Sequence, residues 1–168
     1  MIKKILVATD GSVAANHAVR FACQEAKVHG ARLTIFHAVG CDEMWLRSVA
    51  TPRTFQTPPA DYPISGEPFR EAEFEASPER VKEAEEAMEK ANAITREMGV
   101  EVETKILYAD PKRYCFDPKR LIVMYTQEGG FDAVVLGSHG KTGISKVVLG
   151  SVSEYVVKNA RCPVLLIK

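Results

Sequence analysis

Apolar positions along this chain switch repeatedly between strand-like runs and helical spacing. Lys4–Thr9 (KILVAT) is a continuous apolar run of the length of a short buried strand. Ala15, Ala18, Val19, Ala22, Cys23 and Ala26 then fall on one helical stripe. Ser12 or Asp10 is placed to cap that helix, and Gly30 to end it. Arg32–Val39 (RLTIFHAV) reads as a second strand, which a right-handed crossover lays parallel to the first. From Ser77 a helix runs to about Met98, with Pro78 at its first position. Its stripe is Val81, Ala84, Ala87, Met88, Ala91 and Ile94, its Glu-rich opposite side is a solvated face, and Gly99 stops it. Val100–Tyr108 alternates as an edge strand should, Pro118–Glu128 is helical, and Phe131–Leu136 is a fourth strand. Ser151–Asn159 forms the last helix and Pro163–Lys168 the last strand.

Strand and helix thus alternate along the chain, which predicts an α/β protein: an open parallel sheet with helices on both faces. At 168 residues the chain is expected to be one domain. Two stretches interrupt the rhythm. Residues 40–76 carry five prolines together with Trp45, Phe55, Tyr62, Phe69 and Phe74, and read as a long insertion with a short helix near Glu43–Val49. Residues 112–117 read as a second, short insertion after the Asp110-Pro111 turn.

Charge narrows the function. Lys and Arg number 22 and Asp and Glu 22, so no broad basic surface is offered to nucleic acid or to an anionic membrane. No apolar run approaches the ~20 residues of a membrane span, and the N-terminus lacks the apolar core of a signal peptide. Cys23, Cys41, Cys115 and Cys162 show neither C-x-x-C nor zinc-ligand spacing and are expected to be reduced thiols. A soluble, cytoplasmic protein is the expectation.

Candidate chemistry gathers where strands end. In an open parallel sheet, ligands sit outside the carboxyl ends of the strands, where strand order reverses. Ala8-Thr9-Asp10 closes the first strand, Ala38-Val39 the second, and Gly137-Ser138-His139-Gly140 the fourth. The glycines are expected to free the backbone to turn beneath a phosphate. Lys141 and Lys146 add positive charge, and Gly150, Ser151 and Ser153 stand at a helix start whose N–H groups would complete an anion nest. Asp10 could hydrogen-bond a ribose or adenine edge, or simply cap the helix. His37 reads as a half-buried structural histidine. A Ser138–His139–Asp10 triad lacks the G-x-S-x-G elbow. A Walker P-loop would need glycine where Val135 stands, and no G-x-G-x-x-G follows the first strand.

These residues carry a resemblance. Ile5–Ser12 (ILVATDGS), the spacing Gly137-x-x-Gly140 followed after nine intervening residues by Gly150-Ser151, and Cys162–Lys168 (CPVLLIK) resemble the universal stress protein family, and within it the ATP-binding branch. The resemblance covers residues 1–39 and about 77–168. It implies a three-layer fold of the adenine nucleotide alpha hydrolase type, with a five-stranded sheet of order 3-2-1-4-5. It also implies a homodimer paired through Val164–Ile167. Carried over by position, adenine rests near Ala38 and Val39, with Ala8, Thr9 and Asp10 on the nucleoside side. Ribose and phosphates lie along Gly137, Ser138, His139, Gly140, Lys141, Thr142 and Gly143, then Gly150, Ser151, Val152 and Ser153. The ligand implied is ATP, or ADP or AMP, with Mg²⁺ or Mn²⁺ held only through the phosphates, since no metal cage is visible. The implied role is a nucleotide-dependent stress-response switch with an unidentified protein partner and slow or absent hydrolysis. The alternatives are a nucleotidyl-transferring or adenylating enzyme and a chaperone-like interaction protein that binds no nucleotide.

Overall fold

A computed structural model describes residues 1–40, 77–109, 117–140 and 149–168. The expected insertions and the Asp110-Pro111 turn therefore lie outside the described residues, except Gly40 and Asp117. So do Cys41, Cys115, Lys141, Thr142, Gly143 and Lys146. The elements are β1 (Lys4–Ala8), α1 (Val13–His29), β2 (Arg32–Val39), α2 (Pro78–Met98), β3 (Val102–Tyr108), α3 (Pro118–Glu128), β4 (Ala133–Gly137), α4 (Ser151–Asn159) and β5 (Val164–Ile167).

All strand pairs are parallel, in the order β3-β2-β1-β4-β5. Successive residues of a strand face opposite sides, and two cores result. Ile5, Val7, Leu33 and Ile35 join the α1 stripe and Met88, Ala91 and Ile94 of α2 on one face. Leu6, Phe36, Val134 and Leu136 join Ile122 and Val123 of α3 and Val156 of α4 on the other. Each large aliphatic side chain buried there is worth roughly 1.5–3 kcal/mol. All six residues expected on the buried stripe of α1 are buried. On α2, Ala84, Ala87, Met88, Ala91 and Ile94 are buried, while Glu83, Glu85, Glu86 and Glu89 face solvent. Gly30 ends α1 in the left-handed conformation at φ +60°, where a side chain would be strained.

Several ends shift from the sequence expectation. β1 closes at Ala8, although the Thr9 amide still donates to the Phe36 carbonyl at 2.9 Å. β3 begins at Val102 because Val100 instead bonds back to the Thr95 carbonyl and finishes the turn out of α2. β4 begins at Ala133 because Asp132 is diverted. Its carboxylate accepts the Lys3 and Lys4 amides at 2.7 and 2.9 Å, and these bonds hold its pKa below the usual carboxylate range.

β1 lies between β2 and β4, so the chain leaves β1 toward one side of the sheet and returns on the other. The C-terminal ends of β1, β2 and β4 share one rim, and α1 and α4 start there.

Candidate functional site

Two strand-to-helix turns form the rim. In the first, Ser12 rather than Asp10 is the N-cap of α1, its Oγ accepting from the Ala15 amide at 3.2 Å. Asp10 Oδ1 accepts from the Ser12 amide at 2.9 Å, and Thr9 Oγ1 from the Gly11 amide at 3.1 Å. Gly11 has φ +75°, and a Cβ there would stand 3.1 Å from Ala87 of α2. This turn therefore closes on itself, and α2 packs against it.

The second turn leaves β4. Gly137, Gly140 and Gly150 all avoid positive φ, so space rather than backbone conformation explains them. A Cβ on Gly137 would meet the Ala14 carbonyl carbon and the Ala15 amide nitrogen at 2.8 Å, so α1 rests directly on β4 at this residue. The expectation that Gly137 frees the backbone to turn thus gives way to a packing reason. A Cβ on Gly140 would stand 2.9 Å from Asp10 Oδ2. The glycine loop and the Asp10 carboxylate, 130 positions apart in numbering, are neighbours.

Gly150 is the N-cap of α4 and supplies no side-chain cap. Its own amide donates to the Ser138 carbonyl at 3.0 Å. The first-turn N–H groups of Ser151, Val152 and Ser153 have no acceptor within the helix, and they carry the positive end of its dipole.

The serines are committed elsewhere. Ser138 is buried; its amide donates to the Ile167 carbonyl at 2.7 Å, and its Oγ lies 2.7 Å from His139 Nδ1. Ser153 is buried and its hydroxyl donates to the Gly137 carbonyl at 2.8 Å. Ser151 is exposed and Val152 half-buried. His139 Nε2 is buried without a hydrogen-bond partner among the described residues. No triad forms among the described residues: the histidine nitrogen that an aspartate would have to orient has no partner there, and the serine is shut away from solvent.

The β2 side of the rim has its own anchors. Ala8 and Val39 are buried and Ala38 half-buried; the Ala109 amide donates to the Val39 carbonyl at 2.8 Å. His37 is half-buried as expected, and its Nδ1 lies 2.7 Å from the Thr9 carbonyl. Arg80, on the first turn of α2, donates to the Gly40 carbonyl at 2.9 Å. Sequence reading missed Arg80, because nothing local distinguishes it among the charged residues of an acidic helix.

Among the described residues, no three His, Cys, Asp or Glu side chains cluster as metal ligands would, and no helix is long and apolar enough to cross a membrane. Cys23 and Cys162 are free thiols whose pKa burial pushes up. A shallow cleft lined by Thr126, Gln127, Gly130, Phe131, Arg161 and Cys162 precedes β4 and β5, at the opposite end of the sheet from this rim.

Comparison with known proteins finds relatives of the same fold. The chain is 31% identical over its full length to universal stress protein MJ0531 of Methanocaldococcus jannaschii, covering 83% of that protein. It is 33% identical to universal stress protein YxiE of Bacillus subtilis, with both chains covered in full. The universal stress protein of Archaeoglobus fulgidus, solved in complex with dAMP, superposes with a TM-score of 0.64 at 25% identity, with both chains fully covered. The family model described as the Universal stress protein family matches residues 1–54 and 55–168, and the chain belongs to that family.

Proposed function

We propose that this chain binds ATP, or ADP or AMP, at the rim formed by β1, β2 and β4, and acts as a nucleotide-dependent switch in a stress response. The observation that carries the reading is the approach of Gly140 to Asp10 beside the α4 N-terminus, which no side chain caps. Backbone amides at a helix start attract anions, and a Cβ on Gly140 would occupy the cradle. His139 Nε2, which has no partner among the described residues, fits the same ligand, since a buried ring nitrogen left unsatisfied costs free energy that a phosphate oxygen would recover. The dAMP complex of the Archaeoglobus fulgidus relative supports an adenine nucleotide.

In this reading Ala38 and Val39 present backbone to the adenine, while Ala8, Thr9 and Asp10 face the nucleoside. Gly137 through Gly143, with Gly150, Ser151, Val152 and Ser153, hold ribose and phosphates. Ser138 and Ser153 act by shaping the loop, because their hydroxyls are already engaged. Mg²⁺ or Mn²⁺ enters bound to the phosphates. Hydrolysis is slow or absent, and the readout is a change in affinity for a protein partner. The single-domain chain works in the cytoplasm as a homodimer paired through β5, an edge strand whose Val164, Leu165, Leu166 and Ile167 are all only half-buried. A nucleotidyl-transferring enzyme fits less well, because the β1–α1 turn is filled by its own hydrogen bonds.

Mass spectrometry of small molecules released from the untreated purified protein tests the reading. ATP, ADP or AMP near one per chain is the expected result. Protein that carries no nucleotide and shows no thermal shift with ATP overturns it and favours a nucleotide-free interaction protein.

A further inference from the structure

His37 lies on the sheet face that also carries Leu33 and Ile35, beneath α1 and α2, and pairs in register with Ile106 of β3. A polar ring in an apolar layer is costly unless it finds a partner. The partner it finds is the Thr9 carbonyl at 2.7 Å. A carbonyl only accepts, so the ring must carry its proton on Nδ1. The bond therefore holds the Thr9–Asp10 peptide. In a trans peptide the C=O and the following N–H point in opposite directions. Drawing the Thr9 carbonyl toward β2 turns the Asp10 amide away from β2, the direction in which β4 lies. The next bonds lock the same stretch: Gly11 to Thr9 Oγ1 and Ser12 to Asp10 Oδ1. The other carboxylate oxygen, Oδ2, stands beside Gly140, 2.9 Å from where a Cβ on that residue would lie.

We infer that His37 is a positioning residue of the nucleotide site: through the Thr9 carbonyl it orients the Thr9–Asp10 peptide so that the Asp10 amide and carboxylate meet the ligand beside Gly140. This rests on the nucleotide-binding reading above.

The test is ATP affinity, measured by calorimetry on the full chain, with His37→Asn and His37→Gln. An Asn amide nitrogen sits where Nδ1 does, and a Gln amide nitrogen nearer to where Nε2 does. Asn is expected to stay within about twofold of the parent. Gln is expected to lose about five- to tenfold, the scale of one hydrogen bond. With Asp10→Ala already present, His37→Gln is expected to cost clearly less than it does alone, because the carboxylate is gone and only the residue-10 amide is still positioned. Equal affinities for Asn and Gln, the reverse order, or full additivity with Asp10→Ala would overturn the assignment. A measurement on the unmodified protein stands beside these. Long-range proton–nitrogen correlation is expected to show His37 protonated at Nδ1 with and without ATP, and an Nδ1 without hydrogen sinks the proposal even if a variant fails to fold. Unmodified protein that binds no ATP defeats the proposed function and this inference together. Binding that is indifferent to the Asn and Gln exchange defeats the inference alone.

Discussion

The β1–α1 and β4–α4 turns leave the same rim, yet they treat their helix starts in opposite ways. At the first, Ser12 caps α1 and Asp10 accepts the Ser12 amide, so local side chains bind the turn's own donors. At the second, Gly150 caps α4 with no side chain at all. Compared with glycine, a side-chain cap is worth a few tenths of a kcal/mol, so its absence forgoes a little stability. The contrast separates a turn whose own side chains bind its donors from the turn that the proposed function assigns to an anion. It also separates two glycines that look alike in sequence: Gly137 makes room for α1, and Gly140 makes room beside Asp10.

The strongest way to break this comparison is Gly140→Asp. The new carboxylate would stand against Asp10 and against phosphate, and like charges at contact repel by a few kcal/mol. ATP affinity measured by calorimetry should fall at least about 100-fold, with circular dichroism unchanged because Gly140 is exposed. Retained affinity would remove the β4 loop from the site. Gly137→Ala should act on the fold instead. A methyl group forced against the α1 backbone at 2.8 Å should cost about 1–3 kcal/mol, as overpacking does, read as a lower urea midpoint. Ser12→Ala should cost about 1 kcal/mol through the lost cap and leave nucleotide affinity nearly untouched. Gly150→Ser should do the opposite. It gives α4 a cap at φ −63°, a conformation any residue adopts, and should add a few tenths of a kcal/mol while weakening ATP binding. If Ser12→Ala and Gly150→Ser shift affinity alike, the two turns do not differ in function.

Most of the fold was legible in the chain because periodicity is a local property. The stripe of α1 and the apolar runs of β1 and β4 state their burial directly through spacing. The ends were less legible. Asp132 reads as the second residue of a strand, but the Lys3 and Lys4 amides claim its carboxylate from far along the chain. The candidate site was legible as a set of positions, through the glycine spacing and the strand ends. The role of each position was not. Ser138 and Ser153 read as phosphate contacts, yet their hydroxyls serve His139 and Gly137. Arg80 gave no signal, because its partner is a backbone carbonyl that spacing does not report.

By itself the sequence determined the alternation of elements, the two apolar faces and the family motif, since each follows from the transfer free energy and backbone preference of residues close in the chain. Only the tertiary structure decided which glycine faces a helix and which a carboxylate, that Ser12 rather than Asp10 caps α1, and that His37 grips the end of β1. Those outcomes depend on distances between segments far apart in sequence, and such distances exist only once the sheet is assembled and the helices have packed against it.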